Sequence, residues 1–233
     1  YISALLPFTI RRMKTFTVRF SYREELANAI SHLTGALLAT AGLVLMVVFS
    51  AIKGSAWHVV SSAVFGTTMI ILYVSSTLNH WLKPGRVKDF FFNFDQIAIF
   101  MLIVGTYTPL TLVALHGAFG WVIFGIEWSL AVTGTAIRII KPDKFESGIS
   151  LFFILTYVIM GWIVVIAIVQ VLKAISLMGF IWILIGGLCY SLGILFFRLA
   201  KFRFHHLIWH IFVIAGSISH FFAIYFYILP IQV

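Results

Sequence analysis

The sequence predicts an all-α polytopic membrane protein: a single membrane domain over 1–233, built as a seven-transmembrane-helix bundle with the N-terminus cytoplasmic and the C-terminus outside. Three observations carry that expectation. Hydrophobic residues make up 62% of the chain and charged residues only 10%, with mean hydropathy +1.09, whereas a soluble domain keeps about a quarter of its residues charged. The apolar residues come in runs of roughly 20 or more, the length a helix needs to cross a bilayer. Lys and Arg collect in alternate connections between those runs, as they do where one side of the membrane is the cytoplasm.

Each span follows from the runs. Stretches without Asp, Glu, Lys or Arg cover 26–52, 54–82, 96–126, 147–172, 174–197 and 204–233. They place helices at roughly 26–50, 57–82, 92–114, 148–171, 177–198 and 205–229. The remaining span, 120–140, carries only Glu127 and Arg138, and Arg138 lies near enough to its end to snorkel to the interface. Connections are short and hold turn residues, such as Lys83-Pro84-Gly85, His116-Gly117 and Lys141-Pro142-Asp143. Helix packing is expected through small residues such as Gly161, Gly186, Gly187 and Gly193. No cleavable signal peptide is evident in segment 1–23, which is read as cytoplasmic.

Orientation follows from the basic residues. One side holds Arg11, Arg12, Lys14, Arg19, Arg23, Lys83, Arg86, Lys88, Arg138, Lys141, Lys144, Arg198, Lys201 and Arg203; the other holds Lys53 and Lys173. That asymmetry disfavours a G-protein-coupled receptor, which has its N-terminus outside. A last span without lysine excludes a retinal Schiff base there. The net charge of +9 is spread between apolar runs rather than over one face, so anionic lipid headgroups at the cytoplasmic face, not nucleic acid, are the expected counter-charge. The single cysteine, Cys189, can form no disulfide within the chain.

Ionisable residues inside spans are costly and therefore informative. The second span ends inward at Ser75-Ser76-Thr77-Leu78-Asn79-His80, the third begins there with Phe94-Asp95-Gln96, and the seventh with His205-His206-Leu207-Ile208-Trp209-His210. His80, Asp95, His206 and His210 are thus expected at one depth. His206 and His210 are four apart and share a helix face, which suits two imidazole ligands to one Zn²⁺; a third from His80 leaves a coordination position open for water. Ser76 and His80 share a face in the same way.

Plainer roles stand beside these. His58, His116 and His205 read as amphipathic residues at helix ends. Asp95 could pair with Lys88 or cap the third helix, and Ser76 could bond back to a helix carbonyl. Glu25, Asn28 and His32 fall on one face of the first span, either around the site or as a polar helix entrance. His220 lies about 15 Å beyond His210 along a straight helix, too far to share its metal and suited to bonding another helix. Glu127 is expected to be protonated or paired.

Five segments carry a resemblance over nearly the whole chain from Glu24 onward. They are Glu24-Glu25-Leu26-Ala27-Asn28-Ala29-Ile30-Ser31-His32, the segment from Ser75 to His80, Phe94-Asp95-Gln96 through Gly105-Thr106-Tyr107-Thr108-Pro109, His206-Leu207-Ile208-Trp209-His210, and Gly216 to His220. In this order they resemble the haemolysin III family, the bacterial branch of the progestin and adiponectin receptor superfamily. The resemblance implies Zn²⁺ held by His80, His206 and His210, with Asp95 and Ser76 in catalytic positions beside it. Departures are Asn79 where many relatives carry an aromatic residue, Gln96 where many have His, and Ser31 where Thr is common.

Three functions are weighed. The superfamily's likeness to ceramidases implies a zinc-dependent hydrolase of a lipid amide or ester bond in the cell membrane, with a membrane lipid as substrate. A non-enzymatic membrane-state sensor with a structural zinc site is the alternative. A cytolytic pore fits poorly, because spans apolar all round insert during synthesis rather than staying soluble first.

Overall fold

The computed structural model describes residues 20–140, 150–198 and 202–233, and these are helical with no strand. Arg11, Arg12, Lys14, Arg19, the Lys141-Pro142-Asp143 turn, Lys144, Lys201 and the first residues of the expected 148–171 span lie outside the described residues.

Helix α1 (Tyr22–Lys53) begins at a capping box, in which the Ser21 side chain meets the Glu24 amide and the Glu24 carboxylate accepts from the Ser21 amide. Helix α2 (Ala56–Trp81) starts at Ser55, whose amide donates to His58 Nδ1 at 3.0 Å. Helix α3 (Arg86–Pro109) widens after Pro109 into a π-helical turn, Leu110–Ala114, the expected response to a proline that supplies no amide hydrogen. Gly117, at φ +125°, turns the chain into α4 (Ala118–Ile140). Helix α5 (Leu151–Trp162) breaks at a 3₁₀ turn, Ile163–Val165, before α6 (Ile168–Ala174). Helices α7 (Leu177–Arg198) and α8 (His205–Ala223) follow, and α8 runs on into a π turn, Ile224–Ile228.

Six of these helices are long and apolar enough to cross a membrane; α5 and α6, bent by 55°, are a seventh when taken as one span. The break in α5–α6 has a visible physical cause for its persistence. The Tyr107 hydroxyl on α3 donates to the Gly161 carbonyl at 3.2 Å and accepts from the Val164 amide at 2.8 Å. Backbone groups freed by the bend are thus satisfied where lipid offers no partner.

The surface is largely apolar, and polar side chains are buried within an otherwise hydrophobic core. Leu37, Val44, Ile52, Ile140, Ile166 and Leu177 are exposed, while Asn28, Ser61, Ser62, Thr108, Thr111 and Glu127 are buried. Close packing, rather than exclusion of apolar surface from water, then holds the helices together. Gly186 lies against the His220 ring and Gly193 against Trp209, where an added Cβ would come within 2.7 Å of the indole. Gly161 has open space beside it, and Gly187 is only in ordinary contact range of Trp162. Those two glycines line a cavity instead of a seam.

The end of α2 and the starts of α1, α3 and α8 meet at one end of the bundle. Glu24 accepts from the Phe204 amide at 3.0 Å, tying α1 to the residue that precedes α8. Glu25 bonds both His80 at the end of α2 and Lys88 in the first turn of α3. The candidate ligands lie directly inside these ties.

Candidate metal centre

His80, His206 and His210 converge, each offering a ring nitrogen, and the three nitrogens lie within 4.8 Å of one another. The Nε2 atoms of His80 and His206 are 3.2 Å apart. Two nitrogens bound at 2.0–2.1 Å to one tetrahedral ion stand about 3.3–3.4 Å apart, so the pair is already near ligand spacing. The α-helix supplies the rest. The four-residue step from His206 to His210 brings their ring centroids to 4.6 Å, and His80 meets His210 at 5.1 Å.

Hydrogen bonds fix which nitrogen is free on two of the rings. His210 Nδ1 lies 3.2 Å from the Asn28 carbonyl, which can only accept, so the proton sits on Nδ1. Ser31 Oγ, 2.9 Å from the same nitrogen, passes its own hydrogen to the Asn28 carbonyl at 2.7 Å. His80 Nδ1 donates to the Glu25 carboxylate at 2.6 Å. Both rings therefore turn an Nε2 lone pair toward the cluster, as neutral imidazole ligands require. Glu25 is in turn bonded by the buried Lys88 ammonium at 2.9 Å. The donor set of three neutral nitrogens suits Zn²⁺ among biological metals.

Asp95 lies within α3, not at its cap, and its carboxylate is hydrogen-bonded by Ser76 and Asn79 of α2. Lys88, its alternative partner from the sequence, is engaged by Glu25. Ser75, not Ser76, makes the bond back to a helix carbonyl, to Leu72 at 2.9 Å. Asp95 and Ser76 line the same cavity as the three histidines without joining the convergent nitrogens.

Other histidines divide as their positions suggest. His58 Nε2 donates to the Ile231 carbonyl at 2.7 Å, His116 bonds Leu112, His205 bonds Phe196, and His220 donates to Ile183 of α7 at 3.1 Å. His32 is different: its ring stacks on His210 with centroids 3.5 Å apart, and among the described residues neither of its nitrogens has a partner. Sequence reasoning left three contacts unread. These are the bridging role of Glu25 between His80 and Lys88, the bond from Asn79 to Asp95, and the Phe20 ring set 5.0 Å from that of His206. Their common signal, a polar or aromatic residue one turn from a ligand's depth, names no partner.

A cavity of about 440 Å³ opens from the cluster. Its walls away from the histidines are mainly apolar, with Leu102, Ile103, Ile154, Val158 and Ile194 among them. Trp162 of α5 and Ser191 of α7, both lining it, are joined by a 3.0 Å hydrogen bond.

Comparison with known proteins identifies the family. The family described as "Haemolysin-III related" matches residues 20–221. "Hemolysin-3 homolog" of Bacillus subtilis (strain 168) is 41% identical over 208 residues, 89% of this chain and 96% of that protein. "Hemolysin-3" of Bacillus cereus is 39% identical over 208 residues, 89% of this chain and 93% of its own. The human "Monocyte to macrophage differentiation factor" is 26% identical over 211 residues, 88% of this chain and 84% of its own, a relative that fits the wider progestin and adiponectin receptor superfamily. With the family match spanning most of the chain and the bundle built from apolar helices, this multi-pass membrane protein belongs to the haemolysin III family.

Proposed function

We propose that the protein is a zinc-dependent hydrolase of a lipid amide or ester bond, working at the cytoplasmic end of the bundle. The convergence of His80, His206 and His210 at the mouth of an apolar cavity is the observation that carries this reading. When bound there, Zn²⁺ activates a water molecule for attack at neutral pH. Asp95 is the general base: of the two carboxylates in the cavity wall, Glu25 is already engaged by His80 and Lys88. Ser76 and Asn79 hold the Asp95 carboxylate in place.

The apolar walls accept a lipid chain while the histidines meet the polar linkage near headgroup level. Entry is sideways, between α5 and α7, where Gly161 and Gly187 leave the wall thin. The lytic action in the names of the Bacillus relatives fits less well. A pore needs a polar lumen, and the walls of the cavity away from the histidines are mainly apolar.

The test is zinc analysis of the purified protein and lipid mass spectrometry after incubation with membrane lipids. Stoichiometric zinc and metal-dependent release of a lipid fragment are expected, and both are expected to disappear in His206→Ala/His210→Ala. Stoichiometric zinc with no lipid product would instead favour a structural metal in a membrane-state sensor.

A further inference from the structure

We propose that Glu25 is a positioning residue that sets the metal affinity of the centre through His80, an inference that rests on the zinc reading above. An imidazole presents two nitrogens, and a metal can use one only if the proton stays on the other. On His80 the inward nitrogen is Nε2, 3.2 Å from His206 Nε2, and the outward nitrogen is Nδ1, 2.6 Å from Glu25 Oε2. The carboxylate accepts the Nδ1 hydrogen, holds the ring against rotation and makes Nε2 a stronger donor to a cation.

Its own position is over-determined. Lys88, buried in the first turn of α3, donates to the second carboxylate oxygen at 2.9 Å. One residue earlier, Glu24 is held by Ser21 and by the Phe204 amide. The first turn of α1 is therefore anchored to α2, α3 and the start of α8 together, and Glu25 cannot drift without breaking bonds on more than one side.

His210 shows why Glu25 matters more than an ordinary tie between helices. The outward nitrogen of His210 is held by a backbone carbonyl, that of Asn28, which side-chain substitution leaves in place. Among the described residues Glu25 is the one carboxylate bonded to a ligand histidine. Charge at the edge of the site is thus delivered through His80 alone.

The test uses the full chain in detergent, stripped of metal and titrated with Zn²⁺ against a chromophoric chelator. Glu25→Gln combined with Lys88→Met removes the carboxylate charge, keeps an acceptor for His80, and leaves no buried ammonium without its counter-charge. Zinc affinity is expected to fall about 10–100-fold, with the melting temperature of the metal-free protein unchanged. Glu25→Gln alone, the substitute should the double variant not fold, is expected to move affinity in the same direction. Zinc affinity equal to that of wild type overturns the role of Glu25, as does a loss matched by lower metal-free stability, which marks a structural tie only. A wild type that takes up no zinc overturns the zinc reading and this inference together, a result distinct from a variant that matches a zinc-binding wild type.

Discussion

His80 Nε2 and His206 Nε2 lie 3.2 Å apart across 126 residues of chain. Two uncharged lone pairs held that close are favourable only with a proton or a cation between them. The pair therefore predicts that metal uptake stabilises the fold. At free zinc 100 times the dissociation constant the gain is about 2.7 kcal/mol, visible as a rise in melting temperature that a chelator reverses. His80→Ala, His206→Ala and His210→Ala should each abolish that rise.

Asp95→Asn separates chemistry from binding. An amide keeps the shape and can still bond Ser76, so zinc content and melting temperature should stay near wild type. Hydrolysis should fall by about 10²–10⁴-fold, the usual contribution of a general base. Product release measured by mass spectrometry at matched zinc occupancy checks this, and undiminished turnover in the variant would remove Asp95 from the mechanism.

The two neighbouring glycines of α7 should respond in opposite ways. A Cβ at position 186 would run into the His220 ring, whereas one at 187 would reach Trp162 only at 3.8 Å. Gly186→Ala is expected to cost about 1–3 kcal/mol, typical of overpacking, and Gly187→Ala to be nearly neutral. Thermal unfolding of the two variants side by side reads the difference.

Tyr107→Phe removes the hydroxyl that serves both Gly161 and Val164 at the bend of α5. Leaving those backbone groups without a partner costs about 1–3 kcal/mol. Hydrogen exchange should accelerate over residues 162–166 while the ends of α2 and α8 stay protected. Uniform acceleration across the bundle would instead mean that Tyr107 stabilises the whole fold and not the bend.

Much of this was readable before any coordinates. Seven apolar runs, the depth at which the second ends and the seventh begins, and the four-residue step between His206 and His210 together bring the ligands to one level. Each of those signals is local to a helix or counts along it. What could not be read is the choice among partners at the same depth. Lys88 was available to Asp95 and to Glu25, and only the folded position of the first turn of α1 beside that of α3 decides for Glu25.

The small residues posed the same ambiguity. Gly193 and Gly161 look alike in sequence, yet one seats an indole and the other edges a cavity. The bend at 163–165 left no mark either, since that stretch is apolar throughout and contains no proline. Its explanation lies on another helix, at Tyr107.

The bond from the Phe204 amide to Glu24 spans 180 positions and joins the opening turn of the first helix to the last. At a synthesis rate of about 5–20 residues per second, the ribosome needs roughly 6–25 seconds after making His80 before His206 exists. A nascent chain that ends before the final helix presents His80 without the other two candidate ligands and Glu24 without the Phe204 amide. If the ion is held as proposed above, it can load only after translation has reached the closing helix, because two of its three ligands lie there.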